Sequence, residues 1–174
     1  LKANLVEHQS RSTEVVLSRG ERALQQAFRC GLRAVRSHID TGGPGAESSW
    51  EALQVLQRRW HGRVGLQLVA LAPLAFWTSA EAESMAERLS TCGGLLGGVL
   101  DPSMSGPAID QQLKVLLRLA DRHGLAVDLH IDEADPAPAQ GVKQLLRALQ
   151  SSPVEVPMTC RPASRLASLP QAAV

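Results

Sequence analysis

The sequence has no tyrosine, only two phenylalanines and three tryptophans, so its core has to be aliphatic, built from Leu, Val and Ala. Cysteine is equally sparse. Cys30, Cys92 and Cys160 lie far apart and form no CxxC, which reads as reduced thiols of a cytoplasmic protein that act as small core fillers. Neither sign of charge dominates, because 18 basic and 17 acidic residues are spread along the 174 positions. Without a basic block or an aromatic–basic face, nucleic acid is not an expected partner. Arg or Glu interrupts every apolar run before it attains the length of a membrane span, so no membrane partner is expected either. The start, Leu1-Lys2-Ala3-Asn4, has neither an initiator Met nor a signal-peptide core and reads as a trimmed or partial chain. A phosphate loop is missing too. Thr41-Gly42-Gly43-Pro44-Gly45 lacks the GxGxxG and GxxxxGK[ST] spacings, and Pro44 removes an N–H donor such a loop uses.

What is present is a rhythm. Five short apolar segments recur at Leu32–Ile39, Val64–Leu71, Leu95–Leu100, Leu125–Ile131 and Val154–Thr159. Their starts are about 30 residues apart, the size of one β/α unit. Amphipathic stretches lie between them. In Pro107–His123, Ile109, Leu113, Leu116, Leu117 and Ala120 fall on one stripe at helical spacing. Gly31, Gly93 and Gly124 stand where helix-ending glycines belong, each just before a strand. The chain opens on a helix at about Ser12–Cys30 and closes on a helix or tail from Ala163 onward. Alternating strands and helices mean parallel strands with helical crossovers, an α/β protein. Periodicity leaves open whether the sheet is doubly wound or a barrel. A barrel closes on eight strands, so five make an incomplete TIM-type (β/α) barrel, here read as one partial domain over 1–174. Its open sheet edges would invite self-association.

Two strands carry polar residues where a parallel sheet is normally apolar on both faces. In the first, Arg36, His38 and Asp40 share a face; in the fourth, Asp128, His130 and Asp132 do so, followed by Glu133. Both sets crowd the C-terminal ends of their strands, where α/β proteins place their chemistry. A lone strand histidine is commonly a hydrogen-bonded rim residue, a reading that suits His38. His130 has carboxylates directly after it, the arrangement a metal-assisted hydrolase needs. Arg36 and Asp128 could form a structural ion pair. His8, His61 and His123, on the N-terminal stretch or at helix ends, read as solvated.

The segments Leu32-Arg33-Ala34-Val35-Arg36-Ser37-His38-Ile39-Asp40 and Val127-Asp128-Leu129-His130-Ile131-Asp132-Glu133 resemble two strand signatures of the cytosine-deaminase-type amidohydrolases, approximately VRTHVD and DVHCDE. The intervening Leu66-Gln67-Leu68-Val69-Ala70 is similar to the family's LQIVA, and the likeness runs from about Ser12 to Ser168, as strands two to six of the barrel. The resemblance implies metal-dependent hydrolysis of a C–N bond in a cytosine-like or other cyclic amidine or amide, with zinc or iron as the ion. It implies that His130 is a metal ligand, that Glu133 is the catalytic acid/base, and that His38, Asp40 and Asp132 line the pocket. The sequence departs from the family in four places. The strand-one HxH and the strand-eight aspartate are absent. Arg161 or Pro162 occupies the strand-six histidine position, and Leu71-Ala72-Pro73-Leu74 stands where a cytosine-binding glutamine is expected. With so few ligands the chain alone is expected to bind metal weakly, or not at all, and to be inactive. The other reading is a non-catalytic, flavodoxin-like module that binds a ligand or partner.

Overall fold

A computed structural model of the chain describes residues 12–101, 104–133 and 140–163. His8 and the tail beyond Ala163 lie outside these residues. Helices and strands alternate: α1 Thr13–Arg29, β1 Ala34–Asp40, α2 Ala46–Trp60, β2 Gly65–Pro73, a 3₁₀ turn Leu74–Thr78, α3 Glu81–Cys92, β3 Leu95–Leu100, α4 Pro107–His123, β4 Val127–Ile131, α5 Gly141–Ser151 and β5 Met158–Pro162. The strands follow the order β1-β2-β3-β4-β5 in one sheet. Parallel strands in sequential order, joined by helices, have the topology of an incomplete TIM-type barrel. A flavodoxin-like sheet reverses its winding after the first strand and gives a non-sequential order. The alternative fold is therefore excluded. No helix among the described residues is long and apolar enough to cross a membrane.

The chain divides into two compact units, Leu1–Val69 and Ala70–Val174. In the first, Ser12 caps α1 by accepting the Val15 N–H, and Gly31 takes a left-handed turn just past the helix end at φ +79°. A side chain on Gly20 would collide with Leu56, so α1 and α2 meet at a residue that has none. Trp50, Leu56 and Trp60 of α2 are buried with Ile39, Leu66 and Leu68. Each aliphatic side chain so removed from water contributes about 1.5–3 kcal/mol. Trp50 also anchors the loop after β1: its indole N–H donates to Thr41 Oγ1 at 3.4 Å, and that hydroxyl donates to the Ile39 carbonyl at 2.9 Å.

In the second unit, β3 and β4 pair in parallel, as do β4 and β5. The stripe on α4 is buried at Leu113, Leu116, Leu117 and Ala120, and the helix stops at Gly124 with φ +62°. Gly98 is a packing requirement: a Cβ there would lie 2.9 Å from both Leu129 Cδ2 and Leu74 Cδ2. Its neighbour Gly97 offers a carbonyl to the Trp77 indole N–H at 2.9 Å, which ties the 3₁₀ turn across β3.

Three expectations need correction. The last strand was expected at Val154–Thr159 and lies at Met158–Pro162. Pro153 and Pro157 have no N–H to give, so parallel pairing starts only where the Pro157 carbonyl accepts from Val127 at 2.9 Å. Cys30 and Cys160 are exposed and only Cys92 is half-buried, so the thiols are not core fillers. One sits at a helix end and the other on the last strand of the sheet order. His123 is half-buried, with Nε2 2.7 Å from Glu83 of α3, whereas His61 is exposed as expected.

Candidate functional site

The alternation of β4 brings Asp128 and His130 to one face, with Val127, Leu129 and Ile131 on the other. Asp128 is fully buried. A carboxylate there requires a counter-charge and hydrogen bonds, and Arg161 of β5 supplies both. Its Nε donates to Oδ1 at 3.2 Å, and its Nη2 donates to Oδ2. The register explains the reach: Asp128 lies opposite Thr159, and His130 lies opposite Arg161, so the guanidinium bends back one step along the face. On the β3 side Asp128 faces Gly97, which has no side chain to compete for the space. An oxygen of Asp128 and a ring nitrogen of His130 lie within 4.8 Å of each other.

At the tip of β4, His130 Nδ1 and Glu133 Oε2 are 3.4 Å apart. The two residues line a cleft of about 180 Å³ together with Val99, Leu100 and Asp101. The Glu133 side chain is 65 % exposed, which leaves its carboxylate open to water and to a ligand. Between them Asp132 turns away. It adopts φ +52°, a left-handed conformation that Asp tolerates better than most residues, and its buried Oδ1 accepts the Gly141 N–H at 3.1 Å. The structure thus brings together His130 and Glu133 at the cleft, and directs Asp132 to the start of α5.

In the first unit, His38 and Asp40 line a cavity of about 300 Å³ with Ser37, Arg19 and Ser49. Arg36 Nε donates to Gln67 Oε1 at 2.8 Å. Arg161 as the cation beside Asp128, and Asp101 as a wall of the cleft, were not foreseen. An acid directly after an apolar strand could have pointed to Asp101. Only the strand register could have pointed to Arg161. The guanidinium's neighbour Cys160 has its thiol pKa raised, first by partial desolvation of the sulfur and then by the negative charge of Asp128.

An imidazole and a carboxylate suit zinc or iron in kind, and the His130–Asp128 pair is a possible His/Asp metal site. As folded, these residues of the second unit do not fit a tightly held ion. A site of this sort needs each of its protein ligands free to bind, and Asp128 is already engaged by the Arg161 guanidinium.

No protein-family model matches the chain. It is 34% identical over 135 residues to a pterin deaminase of Rhizobium rhizogenes, an alignment that covers 77% of this chain and 30% of that protein. Among solved structures, a 5-methylcytosine deaminase from Klebsiella pneumoniae liganded with 5-fluorocytosine superposes with a TM-score of 0.72 at 19% identity, over 96% of this chain and 40% of that one. An N-isopropylammelide isopropylaminohydrolase from Burkholderia multivorans superposes with a TM-score of 0.61 at 24% identity, over 86% of this chain and 39% of that one. The chain therefore spans less than half the length of each of these three proteins.

Proposed function

In sequence and fold the chain is a cytosine-deaminase-like amidohydrolase portion, and on that premise we propose that the protein it serves hydrolyses the C–N bond of an amino-substituted nitrogen heterocycle. The substrate is a cyclic amidine or amide, such as a pterin or a cytosine-like pyrimidine. The observation that carries the reading is the His130–Glu133 pair at the cleft, at the C-terminal end of β4.

In this reading Glu133 is the acid/base. Its carboxylate takes a proton as water adds to the amidine carbon, and returns one as the amine leaves, so that water is consumed and ammonia released. Open to the cleft, it can reach a planar ring that docks there. His130 contacts Glu133 from the strand and holds it toward the ring. His38 and Asp40 are proposed as pocket-lining residues, and zinc or iron as the ion of the whole protein with His130 among its ligands. Those assignments rest on the resemblance. The 174 residues alone are proposed to be inactive, because Arg161 holds Asp128 and Arg161 or Pro162 stands where the resemblance expects a histidine.

The test compares this chain with the longest product of its own reading frame, assayed for ammonia release from pterins, cytosine and related cyclic amidines. Turnover by the longer product, reduced on the order of 1000-fold by Glu133→Gln, with none from the 174 residues, is the expected result. Turnover that persists in the Glu133→Gln variant would remove Glu133 from the chemistry. Activity of the short chain would overturn the claim that it is inactive.

A further inference from the structure

We propose that Arg161 is the resident cation of the Asp128 site, and that a divalent transition-metal ion gains Asp128 and His130 only where this guanidinium is displaced. The inference rests on reading His130 as a metal ligand and names the residue that decides whether that ligand can be used. Asp128 is fully buried, and both of its oxygens accept from Arg161. The fork takes one lone pair on each oxygen and sets a positive charge beside the carboxylate. His130 offers a nitrogen within 4.8 Å of the same carboxylate, so an ion bridging the two would sit a few ångströms from the guanidinium. Like charges at that separation, in a partly dehydrated site, lower affinity by on the order of 100-fold or more. The Arg161 side chain is 41 % exposed. Part of it already lies in water, so it can swing away at less cost than a buried group. On the β3 side the register partner of Asp128 is Gly97, which has no side chain, and from β5 it is Arg161 that brings a full positive charge to both oxygens.

The experiment titrates the 174-residue chain with Co²⁺, followed by calorimetry and by the visible absorption of the bound ion. Thermal melting is recorded with and without the metal. Arg161→Gln keeps a hydrogen-bond donor and loses the charge, and Arg161→Met loses both. The wild-type chain is expected to melt at the same temperature in millimolar Co²⁺ as in chelator. Both variants are expected to bind Co²⁺ on the order of 100-fold tighter and to melt higher with it. Adding His130→Ala to Arg161→Gln should abolish the gain. A variant that folds only when Co²⁺ is present during refolding supports the proposal; one that fails with and without the metal overturns it. If the wild type and the variants bind equally tightly, Arg161 is no competitor while His130 keeps its assignment. If no form binds, the metal-ligand reading of His130 falls and the proposal with it.

Discussion

The carboxylate of Asp132, one residue past β4, accepts the backbone N–H of Gly141, the first residue of α5, at 3.1 Å. A helix start leaves several N–H groups without partners in the helix itself. Here an acid from the preceding strand serves one of them, and its charge also suits the positive end of the helix. Asp132→Ala is expected to cost about 1–2 kcal/mol, as loss of a cap does. Asp132→Asn keeps an acceptor and tolerates the left-handed backbone, so it should cost less than half as much. Urea unfolding of the three forms checks the ranking.

The Asp128–Arg161 pair should respond unequally to loss of its two halves. Arg161→Met takes the guanidinium from a fully buried carboxylate and is expected to cost about 3 kcal/mol. Asp128→Asn leaves a half-exposed guanidinium that water can still solvate, and about 1 kcal/mol is expected. Equal losses in denaturant melts would mean that the buried charge is compensated by something other than Arg161.

At Gly98 the two flanking leucines have to move to admit a methyl group, and both Leu74 and Leu129 are buried. Gly98→Ala is expected to lower stability by about 1 kcal/mol, because leucine tips can rotate, and Gly98→Val by about 3 kcal/mol. Calorimetric melting distinguishes the two, and the reverse order would show that β3 relaxes as a backbone.

Cys160 should alkylate slowly for an exposed thiol. Its pKa is raised, so at pH 8 a smaller fraction is thiolate than for an ordinary cysteine, and only the thiolate attacks. The rate with iodoacetamide is expected to climb as pH passes above the usual thiol range. Asp128→Asn, which removes the charge that contributes to the shift, should bring the climb to lower pH. Mass-spectrometric labelling across pH reads both effects.

β1 and β5 are the outer strands of the sheet order, and a parallel edge with unpaired backbone groups recruits other edges. The 174-residue chain is expected to self-associate as its concentration rises, seen as a mass increase by light scattering on a sizing column. A monomer across the whole range would show that both edges are covered.

Where local chemistry decides, the sequence was readable. The limits of β3 and α4 follow from an apolar run ended by an acid and a stripe ended by His123-Gly124, and Leu95–Leu100 and Pro107–His123 are observed as read. Period-two alternation correctly set Asp128 and His130 on one face of β4. What could not be read were contacts fixed by register between distant segments. Arg161 meets Asp128 across 33 residues, and nothing local marks that distance. The last strand was misplaced because Val154 and Val156 carry a strand-like pattern, while the prolines beside them forbid the pairing. Asp132 looked like a third member of the polar face. Its positive φ, which turns it toward α5, depends on where Gly141 returns, and only the tertiary fold sets that.

The sequential strand order has a consequence for how the molecule comes into being. In β3, β4 and β5 each strand pairs with the one made just before it, so synthesis and assembly can proceed in the same direction. As each new β/α unit emerges, its predecessor already presents an edge of the right length and polarity. Loop closure is then limited to a single crossover at each step, which bounds its entropic cost. Growth is by accretion, and a ribosome that pauses between units would leave one strand edge waiting for its next neighbour and open to other chains.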